Sequence, residues 1–94
     1  MDIYTKRSPE TIQYTFNFSP ELGTGETVSS VSGVSQYEDG ATTTDLTIGS
    51  PTLSSPNVQV LVGGGAARKV YVLECTAVTS AGQTLIVQGA VAVI

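Results

Sequence analysis

The stretch VYVLECTAVTSAGQTLIVQGAVAVI, residues 70–94, decides the fold. In its first half Tyr71, Leu73, Cys75 and Ala77 alternate with Val70, Val72, Glu74, Thr76 and Val78. That is the period of two with which side chains face opposite sides of a sheet. Leu85 to Ile94 repeats the alternation, and Ser80-Ala81-Gly82-Gln83 between the halves supplies a glycine for positive φ with polar neighbours. The stretch predicts a β-hairpin of two long strands.

Upstream of it, Asn57 to Val62 places Val58, Val60 and Val62 on one face of another strand. Gly63-Gly64-Gly65-Ala66-Ala67 is expected as a flexible connection to the hairpin. Thr11 to Phe18 puts Ile12, Tyr14, Phe16 and Phe18 on one side, so three of the six aromatic rings point into one core. Ser19 to Glu26 reads as a loop with one short helical turn, Ser19 as N-cap, Pro20 at the first position and Leu22 plugging an end of the core. In Thr27 to Tyr37 the valines break parity, and a bulge near Ser29-Ser30 would restore it. Glu38-Asp39-Gly40 is a turn and Leu46 to Ile48 a short strand. Pro51 and Pro56 confine residues 49–56 to an edge or a loop, because proline cannot donate to a ladder. About seven short strands with turn signals every 8–15 residues predict a single all-β antiparallel sandwich over residues 11–94.

Composition agrees. Thr and Ser fill 23 positions, Val 12 and Gly plus Pro 14, a bias toward strands and turns over helices. The net charge is −4, and Lys6, Arg7, Arg68 and Lys69 are the only basic residues, which leaves no basic patch to neutralise phosphates and argues against nucleic-acid binding. No run nears the roughly 20 apolar residues of a membrane-spanning helix, and the first residues lack the charged and apolar regions of a signal peptide. The chain is expected to be made in a cytoplasm.

Nothing in the sequence assembles reaction chemistry. With no His, one Cys and no carboxylate dyad, acid–base and nucleophilic catalysis lack their groups, so no enzyme activity is expected. The triple glycine lacks the Lys-Ser or Lys-Thr of a phosphate-binding loop and leads into a strand. Glu38, Asp39 and Asp45 lack calcium-loop spacing. No cofactor or metal is expected. Cys75 shares parity with Tyr71 and Leu73 and reads as a small buried apolar residue.

Two features point to partners. Val70, Val72 and Val78, with Ala90, Ala92 and Ile94, would show an apolar face to solvent unless the chain's own loops or another protein cover it. Residues 1–10 read as an extended arm ending at Ser8-Pro9, in which Lys6 and Arg7 are two of the four basic residues. Such an arm orders when tied down. It can add Tyr4, Lys6 and Arg7 to a neighbour, or fold back through Ile3 and Tyr4 as an edge strand of its own sandwich.

The layout resembles small immunoglobulin-like structural proteins of tailed bacteriophages, the fibre-tail adaptors and related virion proteins. The resemblance rests on the aromatic strand Ile12 to Pro20, the Gly-Glu-Thr-Val step at Gly25 to Val28, and Gly63-Gly64-Gly65 followed by Tyr71 to Gly82 with its Thr-Ser-Ala-Gly turn. It covers most of the chain. It implies an immunoglobulin-like antiparallel β-sandwich and a non-enzymatic virion component, either a capsid decoration or cement protein or a head-tail or fibre-tail adaptor. The implied partners are other virion proteins (the major capsid protein, tail or fibre proteins) bound in many copies, with self-association. Partner contacts are expected at Tyr4, Lys6, Arg7, Val70 and Val72. Met1 and the lack of linkers fit a stand-alone component. An immunoglobulin-like carbohydrate- or cell-binding module of a bacterial surface protein is the other reading.

Overall fold

The computed structural model describes residues 3–94. Its strands are β1 (Ile3–Lys6), β2 (Ile12–Asn17), β3 (Val28–Glu38), β4 (Ala41–Thr42), β5 (Leu46–Ile48), β6 (Thr52–Ser54), β7 (Asn57–Gly64), β8 (Lys69–Thr79) and β9 (Thr84–Val93). They form two sheets, β1-β9-β8-β3-β4 and β2-β7-β5, with β6 pairing farther along β7. All ladders are antiparallel except β1 on β9. The chain is therefore the expected all-β sandwich. It has more strands than predicted because residues 3–6 and the short β4 and β6 also pair. The triplets β3-β8-β9 and β2-β7-β5 have the neighbour order of strands C-F-G and B-E-D in an immunoglobulin-like sandwich.

The hairpin is the spine. Its strands pair without a break from Lys69↔Val93 to Val78↔Thr84, and Gly82 takes φ +84° in the turn. Gly82 N–H donates to the Thr79 carbonyl at 3.0 Å, and Gln83 N–H to Thr79 Oγ1 at 3.2 Å. Tyr71, Leu73, Cys75 and Ala77 are fully buried, as their parity requires. From the facing sheet come Tyr14, Phe16, Val58, Val60 and Val62, with Phe18 just past β2, all buried. Burying each such side chain contributes about 1.5–3 kcal/mol, so these two rows carry most of the drive to fold.

Strand β3 shifts register twice, between Val28 and Ser30 as expected and again between Val31 and Gly33. Each bulge inserts one residue, so Val28, Val31 and Val34, three apart in sequence, all meet the core. The Pro51 segment does sit at an edge, where β5 and β6 pair with different parts of β7. The helical turn is Ser19–Glu21, but its N-cap is Phe18 without a side-chain bond. Asn17 Oδ1 instead accepts Ser19 N–H at 2.9 Å.

The triple glycine is not a flexible connection. Gly63 and Gly64 belong to β7 and pair with Thr47 and Leu46. Gly65, at φ +93°, is wedged so tightly that a Cβ would stand 2.9 Å from both Leu46 and Val93 side chains. The Tyr71 hydroxyl pins the next residues, accepting Ala66 N–H at 2.8 Å and donating to Asp45 Oδ2 at 3.0 Å. It thus ties its corner as the tyrosine of an immunoglobulin corner does.

Burial pushes the Cys75 thiol up to about 11. Folding therefore favours the neutral thiol. The sign follows: stability is unaffected by this group below the unfolded thiol's range near 8.5 and falls as pH rises from there toward 11. Cys75 is expected to resist a thiol-specific reagent at pH 8 in the folded protein and to react at once in denaturant. Rapid labelling without denaturant would place its face outside.

Candidate functional site

The outer face of the five-stranded sheet is built from the residues of opposite parity to the core. One row across it runs Tyr37, Val72, Ala90, Ile3, and the next contains Val70, Ala92 and Thr5. Ile86 stands two rows beyond Val72 on the same face. Val70 is 55%, Ile86 57% and Ile3 66% exposed. Tyr37, Gly40, Val72, Glu74 and Gln88 enclose a shallow depression of about 360 Å³. At its border Gln88 Nε2 donates to Glu74 Oε2 at 2.5 Å, and Lys69 bridges to Glu38 at 2.8 Å. That hydrogen bond and charge hold the Lys69 pKa above its usual value.

Of the residues expected to meet partners, the structure puts Val70 and Val72 together on this face and leaves Arg7 exposed at the end of β1. Tyr4 and Lys6 are not with them. Tyr4 pairs with Val91 and turns inward, half-buried, its ring centroid 4.3 Å from that of Tyr14. Lys6 corrects the expectation of a cation offered to a neighbour, since it is 1% exposed. Its amine donates to the carbonyls of Arg7 at 2.7 Å, Ser8 at 3.1 Å and Gly64 at 2.6 Å. A buried ammonium is tolerable when its donors are satisfied, and here all three have an acceptor. The arm expected over residues 1–10 is thus, from Ile3 to Lys6, an edge strand of its own sandwich. Ile94 N–H donates to the Lys6 carbonyl at 2.9 Å to extend the ladder. Met1 and Asp2 lie outside the described residues.

Ile86, Ile3 and Tyr37 were not among the expected partner residues. The signal for Ile86 was available, because it shares parity with Ala90 and Ala92. Ile3 required knowing that β1 joins the sheet, and the two bulges of β3 hide the parity of Tyr37.

A second feature, a groove of about 650 Å³, opens on one flank between the sheets. Tyr14 to Asn17 of β2 form one wall, Ile86 to Gln88 of β9 the other, and Pro20 and Glu21 the end. The opposite flank is closed. There the Gln36 side chain accepts Leu46 N–H and donates to the Leu46 carbonyl, both at 2.9 Å, so its amide stands in for a strand between β3 and β5. Among the described residues no group of three or more His, Cys, Asp or Glu is placed to hold a metal.

The accessible features of the sandwich are thus a sheet face with Val70, Ile3 and Ile86 exposed and a groove along one flank. Residues 6–92 match the family model described as podophage GP4 fiber-tail adaptor protein gp77, and the chain belongs to that family. It is accordingly a phage fibre-tail adaptor-like structural protein, and such a protein is a virion component that binds other virion proteins. No curated protein and no solved structure matches the chain.

Proposed function

We propose that the chain links a tail component to a fibre protein, in several copies per particle and without catalysis, and that the outer face of the five-stranded sheet is one docking surface. Val70 and Val72 form its centre, with Ile3, Tyr37 and Ile86 around them and Arg7 at the end of β1. The observation that carries this reading is the exposure of Val70, Ile86 and Ile3 on one sheet face, since large apolar side chains shown to solvent on one face are what protein partners cover. The family favours the fibre–tail junction over the capsid surface. A carbohydrate-binding module would display aromatic rings, whereas Tyr14, Phe16, Phe18 and Tyr71 are buried and Tyr4 and Tyr37 half-buried.

Val70→Asp tests it. The side chain points to solvent, so folding stability should change by no more than about 0.5 kcal/mol. A charge on a surface that must lose its water should lower incorporation into particles at least about tenfold, a loss of roughly 1.4 kcal/mol or more. Counting copies per particle by mass spectrometry after complementation in infected cells gives the answer. Normal incorporation would remove this face from the partner surface.

A further inference from the structure

We propose that the flank groove receives an extended segment of a partner virion protein, which adds itself as a strand along the free half of β9, in line with β1. The proposal rests on the reading of the chain as an adaptor and names how one partner is held.

Strand β9 pairs with β8 along its whole length, from Thr84 to Val93. On its other side β1 covers only Ala90 to Val93. Among the described residues nothing pairs with Thr84 to Gln88 on that side. The backbone there is aimed outward. Ile94 N–H donates to Lys6 of β1 and Ala90 N–H to the Tyr14 hydroxyl at 3.2 Å, whereas the Val93 carbonyl accepts from Arg68 on the β8 side. Residues alternate sides along a strand, so Ile86 and Gln88 present their N–H and C=O groups to the groove. The Tyr14 hydroxyl takes the Ala90 N–H, and among the described residues no strand takes the corresponding groups of Ile86 and Gln88.

Side-chain burial changes at the same point. Inward-facing Val91 and Val93, under β1, are 0% and 2% exposed. Leu85 and Val87 face the core in the same row and pack against it, but remain only half-buried. The core is less covered along the part of β9 that, among the described residues, has no strand beside it.

Free edges are normally guarded by charge, proline or a bulge, because an unguarded edge pairs with any extended chain. The outer edges elsewhere follow that rule: Pro51 interrupts the β5–β6 edge, and β4 is two residues long beside Glu38 and Asp39. Thr84-Leu85-Ile86-Val87-Gln88 contains neither charge nor proline and pairs without a bulge. On β2, Ile12–Asn17 likewise contains neither charge nor proline, and its side away from β7 borders the same groove. Both unguarded edges thus meet in one place. An occupant must supply main-chain donors and acceptors in extended form and apolar side chains at alternate positions, to cover Val87 and reach toward Tyr14 and Phe16. A basic residue would suit Glu21 at the groove's end.

Two measurements test this. Hydrogen exchange on the isolated full chain and on purified tails that contain it should show the Thr84 to Gln88 amides that face the groove exchanging fast in the first and at least tenfold slower in the second. Ile86→Pro removes one groove-facing N–H without touching the β8 ladder and should lower copies per particle about tenfold or more relative to Ile86→Ala, which keeps the N–H and loses only the outer-face side chain. Amides equally exposed in tails, or Ile86→Pro incorporated like Ile86→Ala, would overturn the proposal. Equal loss with both variants would also overturn it and assign the effect to the side chain on the outer face. Protected amides in an isolated protein that sediments as a dimer would overturn it too, by showing a second copy in the groove. Failure of Val70→Asp to act, with Ile86→Pro still defective, would remove the outer face and leave the edge.

Discussion

Phe16→Ala is expected to destabilise the domain by about 3–5 kcal/mol, the cost of removing a buried ring and leaving the space empty. Phe16 is 1% exposed, lies opposite Val58 on β7 and has its ring centroid 4.8 Å from that of Tyr14. Tyr14 and Val58 beside it are themselves buried and held in their strands, so collapse cannot refill the whole gap. Against a total stability of about 5–15 kcal/mol, the change takes a large share and should lower Tm by well over 10 °C. Gln13→Ala is the control, because Gln13 is on the same strand with opposite parity and exposed to solvent. It should move stability by no more than about 0.5 kcal/mol. Urea denaturation of the two variants reads the register directly. A slip by one residue would exchange their effects, and equal effects would show that β2 has no single buried face.

That contrast was legible in the sequence because strict alternation leaves a strand next to a core only one way to turn. The same logic gave the inward rows of β8 and β9, and it located the first bulge of β3 from the misplaced parity of Val28 and Val31. Where the reading failed, the deciding partner was remote in the chain. Lys6 reads as a surface cation because burying an ammonium is costly, and only the Gly64 carbonyl, 58 residues away, with two nearby carbonyls makes its burial tolerable. Gly63 to Gly65 read as a hinge because glycine permits one, yet at Gly65 the reason for glycine is the closeness of Leu46 and Val93. Of the candidate surface, Val70 and Val72 could be found from parity. The flank groove could not, since it exists only through the way β2 and β9 face each other across two sheets.

Gly89→Ala is expected to be more damaging still, although it adds one methyl group. Gly89 faces the core opposite Leu73, and a Cβ there would lie 1.6 Å from Tyr14 Oη, 2.3 Å from Cζ and 2.7 Å from Cε1. All three atoms belong to one ring, so the ring as a whole must leave. The space open to it is the flank groove, and moving there takes it out of its buried place between Tyr4 and Phe16, whose centroids are 4.3 and 4.8 Å away. Displacement loses the ring's burial, about 3–5 kcal/mol for a large aromatic, and adds crowding worth about 1–3 kcal/mol. It also loses the Ala90 N–H bond to the hydroxyl. The sum rivals the whole stability of a domain this size, and the variant should be largely unfolded at 37 °C by circular dichroism. A double-mutant cycle separates this clash from a general intolerance of β9. In a Tyr14→Ala background the ring is already gone, so Gly89→Ala should cost less than about 1 kcal/mol more, and the two changes together should cost far less than their sum. If Gly89→Ala instead folds with nearly normal Tm, or if the two costs simply add, Tyr14 does not lie over Gly89, and the contact between β2 and β9 that forms the wall of the groove is misplaced.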